Sequence, residues 1–147
     1  MRVLFDLNIL LDLLLRREPH YTNAAALHAM VEDRRLEGVV GANTVIALAH
    51  LLERAIGPEH AGASLRRVLE TYEIRSIGRA ALEEALTAPP GQYDDAVLFA
   101  AAHHGRIDAI VTRNPENFPQ GPVQVVRPRE LLERERVEQG VGMGDRG

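Results

Sequence analysis

Three pairs of oxygen-bearing side chains could do chemistry together: Asp6 with Asn8, Asp94 with Asp95, and Thr112 with Asn114. Each pair borders an apolar run. Carboxylates and carbonyl oxygens are the ligands of hard divalent cations. The chain contains no cysteine, so disulfides and thiolate metal sites are excluded. His20, His28, His50 and His60 share no close ligand spacing. If the three pairs converge, their carboxylates repel one another and raise each other's pKa unless a cation lies between them. Mg²⁺ or Mn²⁺ is the natural resident, because it keeps several waters and one of these can become the nucleophile on a phosphodiester.

Each residue also has an ordinary role. Asp94 and Asp95 at a helix start are caps by default, and Thr112 and Asn114 ahead of Pro115 are turn residues. Asp6 is harder to dismiss. Flanked by Phe5 and Leu7, a carboxylate at that point is poorly solvated and needs a partner. Asp12, set among leucines, is expected to face solvent or to pair with an arginine. Arg113 and Arg16 or Arg17 are candidates for phosphate contact, although arginines beside turns are ordinarily solvated. His103 and His104 suit the dipole at a helix C-terminus better than a metal.

The elements that position these groups follow from apolar spacing. Val3 to Phe5 is too short for a helix and reads as a buried strand stopping at Asp6. Asn8 opens a helix through Leu15, which Arg16-Arg17-Glu18-Pro19 ends. Thr22 or Asn23 is expected to cap a second helix running to about Glu32. Gly38 to Gly41 reads as a strand. Asn43 or Thr44 is expected to cap a third helix ending near Gly57-Pro58, with a fourth from about Glu59 to Glu70. A brief strand between Ile74 and Ile77 and a short helix from Arg79 to Leu86 come next.

Ala88-Pro89-Pro90-Gly91 is the strongest break in the chain. Beyond it, Ala96 to His104 predicts a buried helix, Ala109 to Val111 and Val123 to Val126 predict strands, and Pro128 starts a terminal helix to about Glu138. Residues 1–138 are expected to form one domain and 139–147 a disordered tail. The strand–helix alternation predicts a three-layer α/β/α sandwich around a central parallel sheet of four to five strands. In such sheets ligands sit beyond the carboxyl ends of the strands, where all three polar pairs fall.

At 147 residues and 46% hydrophobic content the chain suits a single core. No segment approaches the roughly 18 apolar residues needed to cross a bilayer. Ile9 to Leu15 is a poor signal-peptide core, since Asp12 interrupts it and no small-residue cleavage site follows. The expected location is the cytoplasm. Net charge is −4, so a polyanion would have to be met by a local basic patch. All 17 basic residues are arginine, which suits bidentate phosphate contact; genome composition or habitat explains the same bias.

The opening VLFDLNILLDLLLRREP, the segment YDDAVLFAAAHHGRIDAIVTRNPENF and the closing strand and helix resemble the PIN-domain family, in particular its VapC-type toxin ribonucleases. The resemblance spans nearly the whole chain and is weakest from Ile56 to Pro90. It implies a parallel sheet flanked by helices, an acidic pocket for Mg²⁺ or Mn²⁺, endonuclease action on single-stranded RNA, and often a dimer held by a small antitoxin. Asp6 matches the first acid of the family motif, and Asp95 the acid opening the buried helix, with Asp94 beside it. Thr44 resembles a hydroxyl residue that relatives place near the pocket. Two positions depart from the pattern. A glutamate that many relatives carry on the third helix is matched by Ala47, for which Glu53 is no obvious substitute. The acid expected after Thr112 is Asn114, with Glu116 in the same loop.

Together these readings make a metal-dependent ribonuclease the leading expectation. Asp6 and Asp95 are its principal ligands, Asp94 and Asn114 supporting ones, Thr112 an orienting group, and Arg113, Thr44 and Asn8 the contacts to substrate. The alternative is a PIN fold that has lost its metal and acts by binding RNA or protein. A nucleotide-binding domain is disfavoured, because no glycine-rich loop follows any strand.

Overall fold

The computed structural model describes the backbone of residues 1–144 and the side chains of residues 1–138. Five parallel strands form the sheet: β1 (Arg2–Phe5), β2 (Glu37–Gly41), β3 (Glu73–Arg75), β4 (Ala109–Val111) and β5 (Gln124–Val126). Their order is β3-β2-β1-β4-β5. The chain therefore winds outward from β1 to one side and returns to build the other, and the reversal falls between β1 and β4. That is the point where an open α/β sheet leaves a crevice at its carboxyl edge.

Alternation along β1 divides the core. Val3 and Phe5 face one layer, made by α1 (Leu7–Leu14), α2 (Tyr21–Glu32), α3 (Ala42–Thr71) and α6 (Pro128–Gly144). Leu4 faces the other, where Leu98 and Ala102 of α5 (Tyr93–His104) pack on Leu4, Val39 and Ile110. The short α4 (Arg79–Glu84) lies on α5 through Ala81, Ala100 and Ala101. This is the three-layer sandwich the sequence predicts, at five strands.

The third and fourth helices do separate where expected, at Gly57 within α3, whose φ of 82° and ψ of 161° favour a residue without Cβ, and Pro58 restarts the helix. Other local details differ. The caps move. The third helix starts at Ala42 with Gly41 as its N-cap, so Asn43 and Thr44 lie inside the first turn. The second starts at Tyr21 with His20 preceding it, so neither Thr22 nor Asn23 caps it. Propensity marks polar residues near a helix start, and packing chooses the residue. The terminal helix runs to Gly144 rather than ending near Glu138, and the remainder of the expected tail, 145–147, lies outside the described residues.

Tyr72, directly after α3, is 4% exposed and closes the core beneath β2. Its ring meets Phe5 edge-on at 5.1 Å, and its hydroxyl lies 2.8 Å from His28 Nδ1. Gly38 makes room for it, because a Cβ there would lie 2.6 Å from the ring. Gly38→Ala should consequently destabilise the fold by about 1–3 kcal/mol, measured by urea unfolding with an unchanged m-value.

Candidate active site

Register builds the centre of the site. Phe5 pairs with Val111 across β1 and β4, so the residues that follow them, Asp6 and Thr112, emerge side by side. The Asp6 amide donates to the Val111 carbonyl at 3.0 Å. Thr112 Oγ1 donates to Asp6 Oδ2 at 2.7 Å, and Asn8 Nδ2 donates to the same oxygen at 3.3 Å. Asp6 Oδ1 accepts from the Leu7 amide at 2.8 Å, which makes Asp6 the cap of α1. Of the four or so lone-pair positions of a carboxylate, these donors leave one on Oδ1. Asp6 is thus fixed in orientation and able to bind a cation through a single oxygen.

Asp95 approaches from the opposite layer. Asp95 lies three residues before Leu98, on the face of α5 that packs against the sheet. Neither Asp94 nor Asp95 caps α5, whose start at Gln92 has no side-chain cap bond. Asp95 is half-buried while Asp94 is exposed. Burial first, then the negative charges of Asp6 and Asp94, push the Asp95 carboxyl up to about 6. Burial likewise raises Asp6, against the opposing pull of the Thr112 and Leu7 hydrogen bonds and the Arg113 charge. The two principal acids expected from the sequence therefore share one electrostatic site.

The other expected residues are placed unequally. Asn114 is exposed in the loop after β4, its amide donating to Thr112 Oγ1 at 3.2 Å. Thr44 is 3% exposed and sits beside Gly41, where a Cβ would meet Asn43 and Leu98. Ala47 is half-buried and Glu53 exposed on α3. Glu116 is 3.1 Å from Arg127 in an exposed ion pair. Among the described residues no group of three or more His, Asp or Glu side chains is close enough to hold a metal. The donor set is two carboxylates with neutral oxygens beside them. That fits Mg²⁺ or Mn²⁺ held by one or two carboxylates and otherwise by water and phosphate oxygens, and it does not fit a cage of protein ligands.

Of the two roles expected for Asp12, the structure takes the pairing with arginine. It is 1% exposed and is met by two arginines: Arg17 Nη2 lies 2.9 Å from Oδ1 and Arg113 Nε 2.8 Å from Oδ2. The second contact is close but off the line a hydrogen bond needs. One turn earlier on α1, Asn8 Oδ1 accepts the Arg113 amide at 3.3 Å. Asn8 and Asp12, four residues apart on one helix face, thus hold Arg113 by its backbone and by its guanidinium. That i,i+4 spacing was the available signal.

Asp95 sets a pH dependence of stability. Its folded pKa lies above the unfolded one, so the native state holds the proton more tightly, and stability from this group falls as pH rises from about 4 to about 6. In metal-free protein, Asp95→Asn should raise the melting temperature at pH 7.5 and change it little at pH 4, as followed by circular dichroism.

Comparison with known proteins follows the same lines. The family model described as PIN domain matches residues 2–116. A search of curated proteins finds no match. Among solved structures, a toxin-antitoxin complex from Klebsiella pneumoniae is similar at 24% identity and TM-score 0.64, covering 86% of this chain and 97% of that one. The DNA-bound VapBC of Salmonella typhimurium matches at 14% identity and TM-score 0.66, over 87% and 98% of the two chains. VapC20 of Mycobacterium tuberculosis, a toxin cleaving the sarcin-ricin loop, matches at 16% identity and TM-score 0.60, over 74% and 86%. At these identities the structures support the fold, while the family model spans most of the sequence, including both principal acids: the chain belongs to the PIN-domain family.

Proposed function

We propose that this protein is a Mg²⁺- or Mn²⁺-dependent endoribonuclease acting on single-stranded RNA in the cytoplasm, and the toxin of a toxin-antitoxin pair. The observation that carries this reading is the meeting of Asp6 and Asp95 at the switch point of the sheet, close enough for one charge to lift the other's pKa. Toxin-antitoxin complexes among the similar structures support a small antitoxin as partner, and a homodimer is the assembly we expect.

In this reading Asp6 and Asp95 would hold the ion, with Asp94 and the Asn114 side-chain carbonyl supporting it. A bound divalent ion supplies Lewis-acid polarisation of the phosphate and an activated water. The residues of the chain prepare for this in three ways. Thr112 and Asn8 fix the Asp6 carboxylate so that its remaining lone pair faces the crevice. Asp95 would have to be ionised to ligate, so its raised pKa in the metal-free protein sets a competition between proton and cation at that carboxylate. Arg113 supplies positive charge beside Asp6, and its guanidinium engages Asp12. With Ala47 and Asn114 where relatives carry acids, the pocket holds less negative charge, so metal affinity should be low until RNA adds phosphate oxygens.

Asp6→Asn should abolish Mn²⁺-dependent cleavage of a single-stranded RNA; unchanged cleavage would defeat the assignment. Activity of the unaltered protein should rise with pH through about 6, as Asp95 becomes free to ligate. Ala47 and Asn114, at positions where the family pattern has acids, favour one competing reading, a PIN fold that binds without cutting. Calorimetric titration with Mn²⁺ separates them: the nuclease predicts a heat that Asp95→Ala removes, and the binding module predicts none.

A further inference from the structure

A cleft of about 350 Å³ opens beside the acid site. Its polar lining is His20, Asn23, Arg113, Asn114, Arg127 and Arg129, with Asp12 at its floor. The residues come from the start of α2, the loop after β4 and the start of α6, so three elements converge on one groove. Asp12 adds no net negative charge, because Arg17 and Arg113 both sit on it. The walls are therefore cationic on a chain whose net charge is −4.

Two residues join the cleft to the acids. Arg113 lines it and also acts electrostatically on Asp6. Asn114 lines it and hangs by its amide from Thr112, which is bonded to Asp6. A strand lying in the cleft would thus reach the carboxylates within its next phosphates. Arg127 and Arg129 form the outer part. Their present partners are exposed glutamates, Glu116 at 3.1 Å and Glu130 at 3.8 Å for Arg127 and Glu133 at 3.4 Å for Arg129, and solvent-exposed pairs of this kind are weak enough for a phosphate to displace. Phe, Tyr and Trp are absent from its lining and His20 supplies the one aromatic ring there, so stacking on bases, the usual source of sequence-tolerant grip on single strands, is secondary to charge.

We infer that this cleft is a phosphate track for single-stranded RNA, in which Arg127 and Arg129 bind backbone phosphates flanking the one delivered to Asp6 and Asp95. The inference rests on the nuclease reading for its substrate class. Recognition is of backbone charge and not of base identity, so this part of the molecule contributes affinity without sequence choice.

The test is fluorescence anisotropy with a labelled single-stranded uridine 12-mer in EDTA, where no cleavage occurs, over a range of salt concentrations. Arg127→Ala/Arg129→Ala should weaken binding roughly tenfold at low salt and reduce the slope of log affinity against log salt by about 1.4, the value for two lost single-strand phosphate contacts. Arg54→Ala/Arg66→Ala, which removes the same charge from exposed positions on α3, should leave the slope unchanged. Arg127→Lys/Arg129→Lys should keep it, which separates lost contacts from lost folding. Equal slopes for the two alanine pairs, or no binding by the unaltered protein, would overturn the track. Cleavage in Mn²⁺ is scored separately on the same RNA. Cleavage with an unaltered slope rejects the track and spares the nuclease; the expected slope without cleavage does the reverse.

Discussion

The in-register pairing of β1 with β4 is the constraint on which the site depends. Phe5 and Val111 are far apart in sequence but partners in the ladder, and the residue after each stands at the crevice. A slip of one residue would turn Asp6 into the core and remove the Thr112 hydroxyl from it. The rest of the architecture serves that pairing. The order β3-β2-β1-β4-β5 leaves the crevice open above those two strands, and α5 must cross the sheet antiparallel to them, so its first turn brings Asp95 to the same edge.

Opposing charges are kept apart by a second buried arrangement. A guanidinium beside Asp6 could pair with it directly and cancel the acid site. In the structure the Arg113 guanidinium instead engages Asp12, with the Asn8 side chain fixing the Arg113 backbone. A buried ion pair of this sort is a weak source of net stability, since desolvation offsets most of its Coulomb energy. Its contribution here is positional: it divides the carboxyl edge into an acidic half over β1 and a basic half toward β5 and α6. The overall charge of the chain conceals that division.

Much of this was legible in the amino-acid sequence. The strands ending at Asp6 and Val111 declare themselves as short apolar runs cut off by polar residues, and Asp6 stood out because a carboxylate in that setting needs a partner. The apolar run from Ala96 to His104 forecast the buried helix whose first turn carries Asp95. Less legible was whatever depends on non-local packing. The Asp12–Arg113 contact joins residues 101 apart, and no local pattern reveals it beyond the shared helix face of Asn8 and Asp12. Helix starts at Ala42 and Tyr21 were misplaced because Asn43, Thr44, Thr22 and Asn23 are good caps in isolation, whereas the backbone path out of β2 and the preceding loop decides where the first turn forms. Glu116 reads from the sequence as able to approach the site, whereas Arg127, the residue after β5, pairs with it at 3.1 Å.

The central claim is that Asp6 and Asp95 face each other across one site and that negative charge on the first raises the proton affinity of the second. Carboxyl ¹³C NMR of Asp95, titrated in metal-free protein with and without Asp6→Asn, measures this directly. The account predicts a midpoint near 6 that drops in the variant and drops again when Mg²⁺ is added to the unaltered protein. An Asp95 midpoint that ignores both changes would show that the two acids do not share a site.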